Sequence, residues 1–164
     1  MFEPTPYLKS FKFDESERKI QFLGDEKEYI QLLLKTVIPR FEYSFKVKIT
    51  SCCKKSSIFI GVASKAHQKN ARSSHKSGNA LALYGGGRIW FGPQNEFAYL
   101  EVSTRLAEGD EVITTVSRKD GKIEWTVNDK LAGYLEKEVL RDEKYEWVPY
   151  FEFKRNGNEI QWLN

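Results

Sequence analysis

The sequence predicts an all-β fold, a sandwich or barrel of short antiparallel strands, on three observations. From Phe41 to Ile49 apolar residues alternate strictly with polar ones, so Phe41, Tyr43, Phe45, Val47 and Ile49 share one face of a strand and Glu42, Ser44, Lys46 and Lys48 the other. Apolar runs of strand length recur down the chain, separated by turn signals at Gly85-Gly86-Gly87, Asp120-Gly121, Asn128-Asp129 and Asn156-Gly157. Helical periodicity is nearly absent, and many strands with close turns define this class.

The elements follow in order. Pro4 and Pro6 make residues 1–9 an irregular lead-in. Phe11 to Phe13 and Ile20 to Phe22 are two short strands around the charged turn Asp14–Arg18. Tyr29 to Ile38 is a continuous apolar run without period, and its β-branched end and Pro39 favour strand over helix. After the alternating strand come Ile58–Ala63, a long polar loop from Ser64 to Gly78, then Ala80–Tyr84 and Arg88–Gly92. Phe97 to Leu106 holds one strand, with Tyr99 its most ordered aromatic. Glu111–Arg118, Lys122–Val127 and Lys130–Tyr134 form a meander, and Lys137–Lys144 is a charged connection with a brief helical turn. Trp147–Lys154 and Asn158–Leu163 are expected to close the fold as a hairpin.

The 164 residues suit a single domain, residues 1–164, with 1–40 an extension packing on a core of 41–164. Such a chain buries roughly two-thirds of its unfolded surface. No stretch approaches the ~20 apolar residues of a membrane span, and the first residues lack the basic and apolar regions of a signal peptide. An intracellular setting, cytoplasmic or nuclear, is therefore expected. Cys52 and Cys53 are adjacent, too close for ordinary disulfide geometry, and with His67 and His75 they do not make a zinc pattern.

Charge is unevenly spread. Between Glu42 and Glu96 there is no acidic residue but nine basic ones, leaving 17 basic and 23 acidic residues elsewhere. The loop Ser64–Ser77, with Arg72 and His75, is the densest part. An acidic peptide, a phosphorylated partner or a nucleic acid would suit it, and a merely solvated loop explains it equally well.

Gly85-Gly86-Gly87 is followed by a strand rather than a helix, so it closes a hairpin and does not cradle phosphate. Pairing Tyr84 with Arg88 sets Leu83 opposite Ile89 and Leu81 opposite Phe91 on one apolar face. Ala82, Tyr84, Arg88 and Trp90 share the other face, expected to be the wet outer side of a sheet. Tyr, Trp and Arg dominate binding hot spots, so Tyr84, Arg88 and Trp90 are candidate partner-binding residues. No nucleophile elbow, metal pair or acid–base constellation occurs, so neither catalytic nor metal-ligating residues are assigned and no cofactor or small-molecule substrate is expected. Trp125, Trp147 and Trp162 are read as packing residues.

Ile60-Gly61-Val62, Leu83-Tyr84-Gly85, Gly109-Asp110-Glu111-Val112, Ile123–Asp129 and Trp147–Tyr150 occur in the order of the motifs of SPRY domains, which this chain resembles from Phe41 to Tyr150. Trp125 stands where those domains have Phe, and Asp129 where they have Gly. The resemblance implies a bent antiparallel β-sandwich that binds a protein or peptide through variable loops at one end, as adaptor, recognition domain or complex subunit, some relatives serving ubiquitin ligases. On that pattern the binding face draws on loops 64–78, 84–88, 128–133 and 141–146, and Lys130 joins Arg72, His75, Tyr84, Arg88 and Trp90 as a candidate. The alternative is a nucleic-acid-associated protein using the acid-free stretch 43–95.

Overall fold

The computed structural model describes residues 2, 8–24, 29–52, 57–65, 79–92 and 98–164. Their strands are β1 (Phe11–Asp14), β2 (Lys19–Phe22), β3 (Ile30–Leu33), β4 (Glu42–Ser51), β5 (Ile58–Ser64), β6 (Ala80–Tyr84), β7 (Arg88–Gly92), β8 (Ala98–Glu101), β9 (Glu111–Ser117), β10 (Lys122–Val127), β11 (Lys130–Glu136), β12 (Trp147–Phe153) and β13 (Glu159–Trp162). Short 3-10 turns occupy Leu8–Ser10 and Glu138–Leu140. The strands form a seven-stranded sheet, β1-β2-β13-β4-β9-β10-β11, and a six-stranded sheet, β3-β12-β5-β6-β7-β8, antiparallel at every pairing.

The main core lies between the sheets. Phe45, Val47, Ile49, Val112, Val116, Ile123 and Trp125 face Ile58, Ile60, Val62, Leu83, Phe151 and Phe153. The Trp125 indole crosses the core and donates to the Ile60 carbonyl at 3.0 Å, tying the sheets together. Strand β4 alternates as expected from Phe45 onward, but Phe41 lies just before the strand and is 75% exposed. The turn chemistry acts as read: Asn128 and Asp129 take positive φ values of 50° and 65°, a two-residue hairpin conformation that their short side chains tolerate.

Two expectations are corrected. Strands β12 and β13 are not a hairpin, because β12 pairs with β3 and β5 whereas β13 pairs with β2 and β4. The Asn156-Gly157 turn instead carries the chain across the sandwich, where the Gly157 amide donates to the Phe22 carbonyl at 2.7 Å. The outer face of the six-stranded sheet is also not wet. Leu33, Phe59, Ala63, Ala80, Ala82, Val148 and Tyr150 form a second buried apolar cluster there. The physical reason is that β5, β6 and β12 carry unbroken apolar runs, the signature of strands covered on both faces.

At one end of the sandwich, turn 85–87 binds segment 102–110 and that segment meets the 128–129 turn. Val102 and Leu106 amides donate to Gly87 and Gly85 carbonyls at 3.0 and 2.9 Å, and the Asn128 side chain donates to Asp110 at 2.8 Å. At the other end Arg118, only 8% exposed, holds the connections. Its guanidinium donates to the carbonyls of Leu140, Ile38, Asp142 and Tyr145 at 3.1, 3.4, 3.2 and 3.1 Å.

Candidate functional site

The β6–β7 hairpin has the register its sequence implies: Tyr84 opposite Arg88, Leu83 opposite Ile89, Ala82 opposite Trp90, Leu81 opposite Phe91. Strand β8 extends it, placing Tyr99 beside Trp90 and Glu101 beside Arg88. The register therefore lays two rows across the outer face of the six-stranded sheet. One runs Leu33, Tyr150, Gly61, Ala82, Trp90, Tyr99, and the other Gln31, Glu152, Phe59, Tyr84, Arg88, Glu101.

Within these rows the candidates are partly occupied by their neighbours. Tyr84 stacks on Phe59 with ring centroids 4.7 Å apart, and Phe59 in turn meets Tyr29 edge-on at 5.2 Å. Burial, and the hydrogen-bonded Tyr84 hydroxyl beside it, push the Tyr29 phenol far above its usual range. The Trp90 and Tyr99 rings tilt together at 5.0 Å. The Arg88 guanidinium sits 4.6 Å from the Tyr99 ring centroid, with its Nε 3.7 Å from the Glu101 carboxylate. Toward β3 the rows are sealed. Toward β8 they open, and Tyr99 is 45% exposed.

Tyr84, Arg88 and Trp90 are thus brought together as the alternation implied. Lys130 lies apart on β11 in the other sheet, at the same end of the sandwich as the 85–87 turn. Arg72 and His75 lie outside the described residues, as does most of the polar loop. The roots of that loop sit at the opposite end, where the Lys65 amide donates to the Glu146 carbonyl at 2.8 Å. The loops grouped by resemblance therefore divide: 84–88 and 128–133 at one end, the roots of 64–78 together with 141–146 at the other.

The acid-free stretch does not assemble an unpaired basic face among the described residues. Lys46 pairs with Glu111, Lys65 approaches Glu146 at 3.9 Å, and Arg88 approaches Glu101. Each acid comes from outside the stretch, so at these three described positions the fold brings opposite charges of the sequence together. Lys48 alone of the four described cations makes no such pair.

Reading the sequence did not identify the exposed apolar residues Leu100, Leu131 and Tyr134, which with Tyr99 lie on the edge strands β8 and β11. The signal was available for Tyr134: in Lys130–Glu136 it stands at period two from Glu136, on the face opposite Leu135. Between these edges lies a groove of about 590 Å³, lined by Ile89, Phe91, Leu100, Val102, Leu135 and Lys137 among others.

No family model matches the sequence, and no curated protein matches it. Solved structures do. The chain superposes on the SPRY domain of human HERC1 with a TM-score of 0.73 at 14% identity, covering 100% of this chain and 98% of that one. It matches the TRIM65 PSpry domain with a TM-score of 0.70 at 10% identity, over 99% and 90% of the two chains. A further human SPRY domain matches with a TM-score of 0.65 at 12% identity, over 93% and 94%. The fold is that of a SPRY domain, and the order of strands inferred from the sequence motifs is the order the structure has. No helix among the described residues is long and apolar enough to cross a membrane.

Proposed function

We propose that this chain is a non-enzymatic protein-interaction module. It binds a protein or peptide at the end of the sandwich built from turn 84–88, segment 101–110 and hairpin turn 128–131. It serves inside the cell as the recognition domain of an adaptor or as a subunit of a larger complex. One observation carries this reading: among the described residues seven large apolar side chains are exposed, and four of them, Tyr99, Leu100, Leu131 and Tyr134, sit on the two edge strands β8 and β11 that run from this end. An exposed Tyr99 ring with the Arg88 guanidinium beside it has the composition of a binding hot spot rather than of ordinary surface. The similarity to SPRY domains supports the same reading.

The pairing of Lys46, Lys65 and Arg88 with carboxylates leaves little in the described structure to favour a nucleic acid or a strongly acidic partner. The test is a nuclease-treated pull-down with mass spectrometry, comparing the wild type with an Arg88→Ala/Tyr99→Ala variant shown by melting to be folded. A protein retained by the wild type and lost by the variant is the expected result. Equal recovery from both overturns the assignment to this end, and recovery that disappears with nuclease gives the function to nucleic acid.

A further inference from the structure

Strand β11 is the last strand of the seven-stranded sheet and β8 the last of the six-stranded sheet. Antiparallel ladders alternate between residue pairs that exchange two backbone hydrogen bonds and pairs that exchange none. The Lys137 amide donates to the Gly121 carbonyl at 2.7 Å, one step beyond the Lys122–Glu136 pair, so Ile123–Leu135 and Trp125–Gly133 are the bonded pairs. Tyr134 and Glu136 therefore turn their N–H and C=O groups away from β10, and no backbone partner for them occurs among the described residues. By the same alternation, the Val102-to-Gly87 bond at 3.0 Å turns the backbone of Tyr99 and Glu101 away from β7.

An edge of this kind is ordinarily blunted by proline, inward charge or cover. Residues 130–136 contain no proline, and Leu131 and Tyr134 are 59% and 51% exposed. Beside the free backbone lies the apolar groove, walled on its far side by Leu100, Phe91 and Ile89 and bounded by Lys137, whose ammonium sits 3.8 Å from the Phe91 ring centroid. On the outer side of β11 the exposed Glu136 carboxylate makes no ion pair among the described residues, since its cross-strand neighbour Lys122 turns to Glu124 at 3.4 Å.

We propose that β11 receives an extended peptide as an added antiparallel strand, with apolar residues at alternate positions entering the groove and basic residues at the intervening positions beside Tyr134 and Glu136. Beyond the β11 bulge at Ala132, the free N–H and C=O groups of Tyr134 and Glu136 supply the main-chain pairing, and the groove takes the intervening side chains. The unpaired Glu136 carboxylate favours Lys or Arg on the outer face, where the Tyr134 ring already carries the Lys122 ammonium 5.3 Å from its centroid. This rests on the interaction-module reading and names the partner segment and its mode of binding.

The geometry fixes which peptide amides matter. A residue directly opposite Tyr134 or Glu136 shares its face and exchanges hydrogen bonds with it, so the basic residues present their N–H groups to β11 and the apolar residues do not. The probe is a fluorescein-labelled peptide of four Lys-Val repeats, titrated into the intact chain by anisotropy beside two N-methylated forms. Methylation of the lysine amides is expected to weaken binding tenfold or more, and methylation of the valine amides to leave it nearly unchanged. Glu136→Lys is expected to weaken the Lys-Val peptide and strengthen a Glu-Val one. Equal sensitivity to both methylation patterns, or no binding at millimolar peptide, overturns the proposal. If the peptide fails while Arg88→Ala/Tyr99→Ala still abolishes capture of a protein, strand addition falls and the interaction module stands.

Discussion

Arg118 offers a quantitative check on how the connections at its end of the sandwich are held. Among the described residues no carboxylate lies within ion-pair distance of its guanidinium, which spends its donors on four main-chain carbonyls, those of Ile38, Leu140, Asp142 and Tyr145. Burial, followed by the nearby Arg40 charge, lowers its pKa, yet an arginine so placed remains protonated. Three of the four bonds are 3.2 Å or shorter, and the fourth, to Ile38 at 3.4 Å, is weak. Hydrogen bonds to charged groups contribute about 1.5–3 kcal/mol each when the partner stays buried. In Arg118→Ala water reaches the part-buried Asp142 and Tyr145 carbonyls, so most of the cost falls at Leu140, with the lost packing of the stem added. About 3 kcal/mol is expected, which at roughly 2–4 °C per kcal/mol for a chain of this size lowers the melting temperature by about 6–12 °C. Arg118→Lys keeps the charge but cannot fork to several carbonyls, and should recover about half of that loss. Thermal melting of the three proteins decides it, and hydrogen exchange in Arg118→Ala should rise across 138–146 before it rises in β2. A melting temperature within about 2 °C of wild type for Arg118→Ala, or full recovery by lysine, refutes the clamp.

Other outcomes follow from the same structure. A Cβ on Gly61 would lie 2.0 Å from the Leu81 carbonyl oxygen and 2.7 Å from the Ala82 Cα, backbone that no rotamer change can move; Gly61→Ala should cost at least about 2–3 kcal/mol in urea unfolding, and an unchanged midpoint would mean that β5 and β6 are not packed this closely. The Tyr150 hydroxyl is buried and has no hydrogen-bond partner among the described residues, so Tyr150→Phe should change stability at pH 7 by less than about 1 kcal/mol in either direction. Burial, then the neighbouring Glu152, raise the Tyr150 pKa well above 10.0 in the folded chain. The unfolded chain releases that proton near pH 10 and the folded chain does not, so stability is fully present below about pH 10 and declines above it. Melts from pH 7 to 11.5 should show a shallower alkaline decline for Tyr150→Phe, and matching slopes would count against this burial. Asp129 holds φ at 65° in the β10–β11 turn, where glycine is unstrained, so Asp129→Gly should stabilise by about 0.5 kcal/mol; Asn128→Ala should destabilise by about 1–2 kcal/mol through loss of its bonds to Asp110 and the Glu111 amide.

The seven-stranded sheet was the more legible half of the fold. Strand β4, with β9 and β10, covers one side of the core and faces solvent on the other, so the period-two pattern of Phe45, Val47 and Ile49 appears directly in the sequence. The β6–β7 register was legible for a different reason: only one pairing across Gly85–Gly87 makes both faces chemically consistent. The six-stranded sheet was harder. Its strands β5 and β12 are buried on both faces, and a run such as Ile58–Ala63 has no period from which to read a cover over the outer side. The crossing of the chain between β12 and β13 was hidden because Asn156-Gly157 is compatible with a hairpin and with a sheet-to-sheet turn alike. Long-range pairing settles it, through Ile160 opposite both Ile20 and Ile49. At the candidate site, the sequence brought Tyr84, Arg88 and Trp90 onto one face but not Tyr99 and Glu101, whose places depend on the register of β8 against β7.

We propose that function resides at the end and edge carrying Tyr99. It is tested most directly by placing a photo-crosslinking amino acid at position 99 in one protein and at position 12, on the β1 edge far across the seven-stranded sheet, in another. After irradiation in nuclease-treated lysate, a discrete protein adduct at position 99 that is absent at position 12 is the expected result. Equal adducts at both positions, or an adduct only at position 12, would contradict it.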